Sequence, residues 1–341
     1  MSRRILPRMR AIERVTTAVI VLLTTVARLA AAQPSPAFAE QMRKGDEAAD
    51  RGAYDQALDA YKKAFSLSNK SSFDAALGMS LAYRGLGEHK KAVDIADEAL
   101  KLAGTDPDHL AQAHNLRGRA LYALSAKPDD KRMGEAESEF RAALAAEDGF
   151  QPARFNLGVA LLKQKRDEDG IRELKQYVEH AAAGADVSRA KLMIEDPRRA
   201  RETFAPPFRF VSRSGDPVAL DDYKGKTVLV DFWGSWCPPC VQSTPTLVKL
   251  YKKYAEQGVV FLGVAQDHDK PWATYLDQHH IAWPQYLDSS RVLLREFGIT
   301  AYPTFIVIDG EGIIRGRRMG WGPEIESWLE DEIKKSLKKA P

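Results

Sequence analysis

A short pattern returns four times in the first half of this chain, and it limits the possible folds more than any other feature. In YDQALDAYKKAF the marks are Ala57, Tyr61 and Ala64; in HKKAVDIADEAL they are Ala92, Ala96 and Ala99; in MGEAESEFRAAL they are Ala136, Phe140 and Ala143. DEDGIRELKQYV carries Gly170, Leu174 and Tyr177 in the same places. The first marks lie 35, 44 and 34 residues apart, and Gly45, Ser80, Gly118 and Gly158 sit in the apolar stretch before each pattern. Small residues at helical spacing let two helices pack closely, and the aromatic or long aliphatic position fills the gap to the next pair. Such a unit cannot bury its apolar face alone, so the units must stack.

These marks resemble the tetratricopeptide repeat, a helical hairpin of about 34 residues. The expected organisation is about four repeats over 36–182, then a capping helix and linker over 183–203, with the helix running roughly from Val187 to Phe204. The longest interval places its extra residues in the loops GTDPDH and SAKPDDKR. Superhelices of this kind resemble modules that hold peptide segments in a concave groove. The repeats therefore bind a peptide or protein ligand, or serve as a rigid support. His89, His109, His114 and His180 are scattered through them and read as surface or packing residues.

The amino terminus has the layout of a secretory signal. Arg3, Arg4, Arg8, Arg10 and Arg14 precede an apolar run from Val15 to Ala27, and Ala30, Ala31 and Ala32 follow as a cleavage-like site. Arg28 interrupts the run before it reaches the roughly 20 residues of a comfortable membrane span. Residues 1–32 are thus a signal peptide, or a membrane anchor if uncleaved, and the protein is expected outside the cytoplasm. That segment holds six Arg and one Glu, so the whole-chain charge of +3 becomes 3 − 5 = −2 without it. With no cationic excess left, nothing electrostatic points to nucleic acid.

From Phe204 the pattern changes. Pro206-Pro207 ends helical structure, and Val228 to Trp233 is a β-branched, apolar run suited to a strand buried on both faces. It leads into CPPC, which contains both cysteines of the chain, Cys237 and Cys240, at the start of a helical pattern with Val248, Leu250 and Tyr251 on its apolar side. Expected thereafter are a strand (Val259 to Ala265), helices at Trp272 to His279 and Ser290 to Phe297, strands at Thr304 to Asp309 and Ile313 to Arg318, and a helix from Pro323 to Lys338. The fold class is then an α-helical solenoid followed by an α/β domain.

Position alone gives the pair a chemistry. At a helix amino terminus, unpaired N–H groups and the positive end of the dipole favour a thiolate, and can lower a thiol from about 8.5 into roughly the 3.5–7.5 range. Cys237 would attack a substrate disulfide, and Cys240, one turn on, would resolve the mixed disulfide. Pro238 and Pro239 fill the first helical turn, where missing N–H groups cost little. Asp231 lies inside the apolar strand, where a carboxylate is costly unless it is neutral, hydrogen-bonded or useful.

VLVDFWGSWCPPC followed by GITAYPTFIVID resembles the thioredoxin fold, and the APPF…DYKGK lead-in is similar to the exported TlpA-like thiol-disulfide oxidoreductases, over about 204–341. The resemblance implies a protein disulfide reductase with no cofactor, disulfide-containing client proteins, and a membrane-borne electron donor. It makes Asp231 the general base for the buried cysteine and Pro303 of Tyr302-Pro303 a cis-proline facing the pair. Trp236, Pro238, Pro239 and Tyr302 would line the substrate surface, although Trp236 is equally a packing residue. Pro245 resembles the family's helix-kinking proline, whereas Ser243 stands where TlpA-like proteins often carry an acid.

Other chemistries fit less well. A metal site needs two further ligands, and no second CxxC exists. A purely structural bridge over so short a loop removes little chain entropy. A redoxin-type thiol peroxidase resembles this domain, but those enzymes carry Thr three residues before the reactive Cys, where this chain has Gly234. A third reading is an assembly scaffold with an ancillary redox domain.

Overall fold

The structure, a computed structural model, describes residues 35–338; the expected signal lies outside the described residues. The chain divides between Pro197 and Arg198 into two compact units.

Among the described residues of the first unit nine α-helices follow one another: α1 (Pro36–Asp50), α2 (Tyr54–Leu67), α3 (Phe73–Gly85), α4 (His89–Ala103), α5 (Pro107–Leu124), α6 (Lys131–Ala146), α7 (Gln151–Lys163), α8 (Asp167–His180) and α9 (Ala185–Glu195). Their starts are written locally. Ser35, Ser72, Asp106 and Asp130 accept backbone N–H groups at the starts of α1, α3, α5 and α6, and Pro107 occupies the first position of α5. Gly104, at φ 59°, ends α4 in a conformation that a side chain resists.

The repeated marks line the contacts between consecutive helices. Ala57, Ala64, Ala92, Ala96, Ala99, Ala136 and Ala143 are fully buried. Tyr61 lies over Gly45 and Gly78, where a Cβ would come within 2.4 Å and 2.7 Å of its ring, and its hydroxyl donates to Asp46 at 2.8 Å. Ser80 donates to Ala92 O at 2.8 Å, so the hydroxyl that replaces glycine there is satisfied. Phe140 covers Gly118 in the same way, with 2.6 Å to an added Cβ. Gly118→Val is therefore expected to destabilise the chain by about 1–3 kcal/mol, read as a lower denaturant midpoint at unchanged slope.

Two sequence expectations need correction. The extra length of the third unit does not fall in loops alone: α5 has 18 residues where α3 and α7 have 13, and Lys131 and Arg132 already belong to α6. The capping helix does not reach Phe204. It ends at Glu195, because Asp196 precedes Pro197 and is forced into extended backbone; a short 3₁₀ turn follows, and Phe204 makes an isolated antiparallel bridge to Ile313.

The second unit begins with a small hairpin, β1 (Arg209–Val211) and β2 (Pro217–Ala219). Its main elements are β3 (Thr227–Trp233), α10 (Pro238–Tyr254), β4 (Val259–Ala265), α11 (Asp269–Gln278), β5 (Gln285–Leu287), α12 (Val292–Glu296), β6 (Thr304–Ile308), β7 (Ile314–Met319) and α13 (Pro323–Leu337). The sheet order is β5-β4-β3-β6-β7, with β3, β4 and β5 parallel and β6 and β7 antiparallel to their neighbours. All seven residues of β3 are buried, as a central strand covered on both faces requires.

Alternation along β3 separates the two faces. Val228, Val230 and Phe232 pack with Phe208, Phe210, Val218 and Phe297. Leu229 packs on the other face with Leu247 and Leu250 of α10 and Ile325 and Leu329 of α13. The buried side of α10 is thus Leu247, Leu250 and Tyr254, with Val248 and Tyr251 half-buried. Strand β5 and the β1–β2 hairpin, at 3 residues each, carry too little periodicity to be read from sequence.

Candidate active site

Strand β3 delivers the chain into a tight turn from which α10 starts. Cys237 is the N-cap of α10, with its N–H donating to Gly234 O at 3.1 Å, and Pro238 and Pro239 open the helix. Cys237 and Cys240 are both buried and form a disulfide, with Cα atoms 5.3 Å apart. The Cys237 sulfur accepts the N–H of Cys240 at 3.4 Å, a helix-start donor of the kind that stabilises a thiolate once the bond is reduced.

The surroundings of the pair come from three elements. Trp233, Trp272, Tyr275 and Leu276 form one buried cluster with the two cysteines, and Tyr302 packs against it. The Tyr302–Pro303 peptide bond is cis, and Pro303 is buried with its carbonyl accepting the N–H of Gly320 at 2.8 Å. Trp236 is 56 % exposed, yet it is held: its indole N–H donates to Gln266 O at 2.8 Å, and its ring meets Tyr302 edge-on at 5.6 Å. Pro238 is exposed and Pro239 half-exposed beside it. The sequence-predicted surface residues Trp236, Pro238, Pro239 and Tyr302 therefore gather around the disulfide, with two of them in direct ring contact.

Asp231 lies on the α10 side of the sheet. On β3 it is flanked by Leu229, which packs on α10, and by Trp233, which clusters with the cysteines. Its neighbours across the sheet are Gly263 and Phe305. The carboxyl is buried, Oδ1 has no hydrogen-bond partner, and burial pushes its pKa up to about 8. Desolvation acts here without a compensating cation, so the neutral acid is favoured at neutral pH. Its charge is also felt at the Tyr275 phenol, which is raised mainly by burial.

Apart from Ser243 and Gly263, the residues that complete this region carry no sequence signal that singles them out. The Tyr275 hydroxyl shares a 2.8 Å hydrogen bond with Thr244, and Thr244 and Ser243 both donate to Cys240 O, at 3.2 Å and 2.7 Å. Ser243, placed where an acid would be usual, is buried, and its hydroxyl is spent on the backbone of α10. Gln285 of β5 reaches over Gly263, where an added Cβ would lie 2.1 Å from its Oε1, and accepts from Trp233 Nε1 at 3.1 Å. A glycine inside a central strand was the one available hint that a side chain approaches there.

A buried disulfide at a helix start, with an exposed tryptophan close by, can be reduced by an incoming dithiol, which supplies the two electrons and is itself left as a disulfide. Comparison with known proteins agrees. Residues 200–333 match the redoxin family. The thiol-disulfide oxidoreductase ResA of Bacillus thuringiensis subsp. konkukian is 32% identical over 133 residues, which are 38% of this chain and 75% of that protein. The thioredoxin-like protein YneN of Bacillus subtilis is 33% identical over 119 residues, 34% of this chain and 69% of its own. A solved thiol:disulfide interchange protein of the thioredoxin family from Chlorobium tepidum is 32% identical, with a TM-score of 0.37, covering 40% of this chain and 97% of that one. The chain belongs to the thioredoxin-fold thiol-disulfide oxidoreductases, with the enzyme domain carried at its carboxyl-terminal end.

Proposed function

We propose that the protein is an extracytoplasmic protein disulfide reductase in which Cys237 is the nucleophile, Cys240 the resolving thiol and Asp231 the general base that takes and returns the proton of Cys240. The observation that carries this reading is the buried, unpartnered Asp231 carboxyl on the sheet face beneath α10. In the reduced protein the Cys237 thiolate attacks a client disulfide, forming one S–S bond and releasing one client thiolate. Asp231 takes the proton of Cys240, whose sulfur then attacks Cys237, restoring the internal disulfide and releasing the second client thiolate. Recharging runs the other way: one thiolate of a donor dithiol attacks Cys237, the protonated Asp231 returns its proton to the departing Cys240 sulfur, and the donor's second thiolate then displaces Cys237, leaving the donor as a disulfide. The donor is a membrane-borne dithiol. Trp236, Pro238, Pro239, Tyr302 and Pro303 form the client surface.

The repeats of 36–182 recruit or position clients for the domain at 204–341, after export directed by 1–32. Among the described residues no helix is long and apolar enough to cross a membrane. Determination of the reduction potential against glutathione, together with trapping of clients on Cys240→Ser, tests the direction of electron flow. A potential close to that of strong oxidants, near about −120 mV, sinks the reductase reading. For the repeats, deletion of 36–182 is compared in cells with Cys237→Ser. Equal phenotypes support recruitment, and a phenotype from deletion alone supports a scaffold.

The peroxidase alternative meets a steric obstacle. A Cβ at Gly234 would lie 2.6 Å from Trp236 Nε1 and 3.0 Å from Gln266 O, so the Thr of a peroxidase site has no room unless Trp236 leaves. The reduced protein is expected to consume hydrogen peroxide no faster than about the rate of an ordinary thiol, and rapid turnover in that assay removes the preference for a reductase.

A further inference from the structure

One side chain crosses the sheet to reach the strand that carries Asp231. Asp231 of β3, Gly263 of β4 and Gln285 of β5 are register partners, so the three stand in one row across parallel strands and share a face. Gln285 is buried, and its carbonyl accepts the N–H of Arg213 at 2.8 Å, which pins the start of its side chain. That side chain lies over Gly263, where an added Cβ would overlap its amide, and ends on β3, where Oε1 accepts the indole N–H of Trp233 at 3.1 Å. Trp233 is two residues beyond Asp231 and on the same face of the strand. Any side chain at 263 would keep the amide off β3.

The chemistry of that bond orients the amide. An indole N–H can only donate, so it holds the amide oxygen and leaves the NH₂ group as a donor. Nε2 makes no hydrogen bond among the described residues. In the same row Asp231 Oδ1 is a buried acceptor without a donor. Buried polar groups are normally satisfied, yet here a spare donor and a spare acceptor belong to one row of the sheet. The neutral acid can leave them apart, whereas an ionised carboxylate needs a donor. The groups packed on this face supply no cation: Cys237 and Cys240 come from α10, Tyr275 from α11, Phe305 from β6, and Ile325 and Leu329 of α13 meet the neighbouring Leu229. The Tyr275 hydroxyl is engaged with Thr244, and burial alone raises Asp231.

We propose that Gln285 is a positioning residue for the thiol chemistry: tethered to Trp233 through Oε1, it donates its Nε2–H to the ionised Asp231 carboxylate in the reduced protein. The proton of Cys240 passes to that carboxylate as the Cys240 sulfur attacks Cys237 in the mixed disulfide, the internal S–S bond forms, and the client thiolate departs. Gln285 exchanges no proton and sets only how readily Asp231 stays ionised near neutral pH. Gly263 is needed for the reach of the amide rather than for backbone freedom. The inference rests on the reading of Asp231 as general base and adds the group that tunes it.

The test uses the full reduced chain and stopped-flow release of thionitrobenzoate from its symmetrical disulfide, in which Cys237 frees the first equivalent and Cys240 the second. The second phase is followed across pH, and the proton on Asp231 is followed by its carboxyl infrared band, identified by its absence in Asp231→Asn. Gln285→Leu is expected to raise the midpoint of both by about one pH unit, as loss of one hydrogen bond to a charged group does. At pH 7 the second phase should slow by about three- to ten-fold with the first unchanged. Because Gln285→Leu strands the Trp233 N–H, Trp233→Phe with Gln285→Leu removes both partners and should give the same raised midpoint. Gly263→Ala, which pushes the amide aside, should shift it in the same direction. A lowered melting temperature with an unmoved midpoint assigns Gln285 to holding Trp233 alone and overturns the proposal, as does an equal slowing of both phases. If Asp231→Asn itself leaves the second phase intact, the general base falls and the inference with it, so the two failures are distinguishable.

Discussion

Cys237→Ser is expected to lower the rate of protein disulfide reduction by at least about 10³-fold, to the level of buffer thiols, as measured by insulin turbidity with dithiothreitol as donor. The hydroxyl of serine is not ionised at neutral pH and cannot form the mixed disulfide, so no residual pathway runs through this position. Cys240→Ser behaves differently. It keeps the nucleophile at the start of α10 but loses the thiol that resolves it, and mixed disulfides with clients should accumulate on Cys237. The two variants therefore separate attack from resolution. Recovery of stable adducts on Cys237→Ser, or fast turnover by either variant, contradicts the assigned roles. In the reduced parent, Cys237 is expected to alkylate faster than a free thiol at pH 7 because the Cys240 N–H and the helix start favour its anion.

Asp231→Asn is expected to slow proton-coupled resolution by about 10²–10⁴-fold, the usual contribution of a positioned acid or base. The same change is expected to stabilise the oxidised protein, and the pH dependence fixes the sign. Burial pushes Asp231 up to about 8, whereas an unfolded chain holds it near about 3.9. Below about pH 4 the carboxyl is protonated in both states and costs folding nothing. Between about pH 4 and pH 8 the unfolded chain releases its proton while the folded one keeps it, so stability is lost as pH rises toward the folded value, and above it the loss is complete. The variant has no such proton. Its advantage over the parent should be close to zero near pH 4 and reach the order of a few kcal/mol at pH 8, followed by denaturant melts at each pH. An advantage that is flat with pH rules out a neutral buried acid. A group that costs stability and raises rate is what a functional carboxyl in a core strand should look like.

Much of the fold could be read along the chain because it is governed by local periodicity. The recurring Ala and aromatic marks fall on helix contacts, and the apolar run at β3 is buried throughout. The readings that failed are those where a neighbouring residue overrode the pattern. Asp196 before Pro197 stopped α9 early, and the long α5 absorbed length expected in a loop. The short strands β1, β2 and β5 exist through pairing across the sheet and leave no period of their own.

The sequence by itself determined the chemistry: two thiols at the start of a helix, a carboxylate in an apolar strand and a stack of helical hairpins all follow from residue type and spacing, which local sterics and burial translate directly into structure. Only the tertiary structure decided which groups are left without partners. That Asp231 Oδ1 finds no donor and that Gln285 closes over Gly263 depend on residues far apart in the chain. Hydrogen bonding and desolvation are properties of a three-dimensional neighbourhood, and no spacing along a strand or helix encodes them.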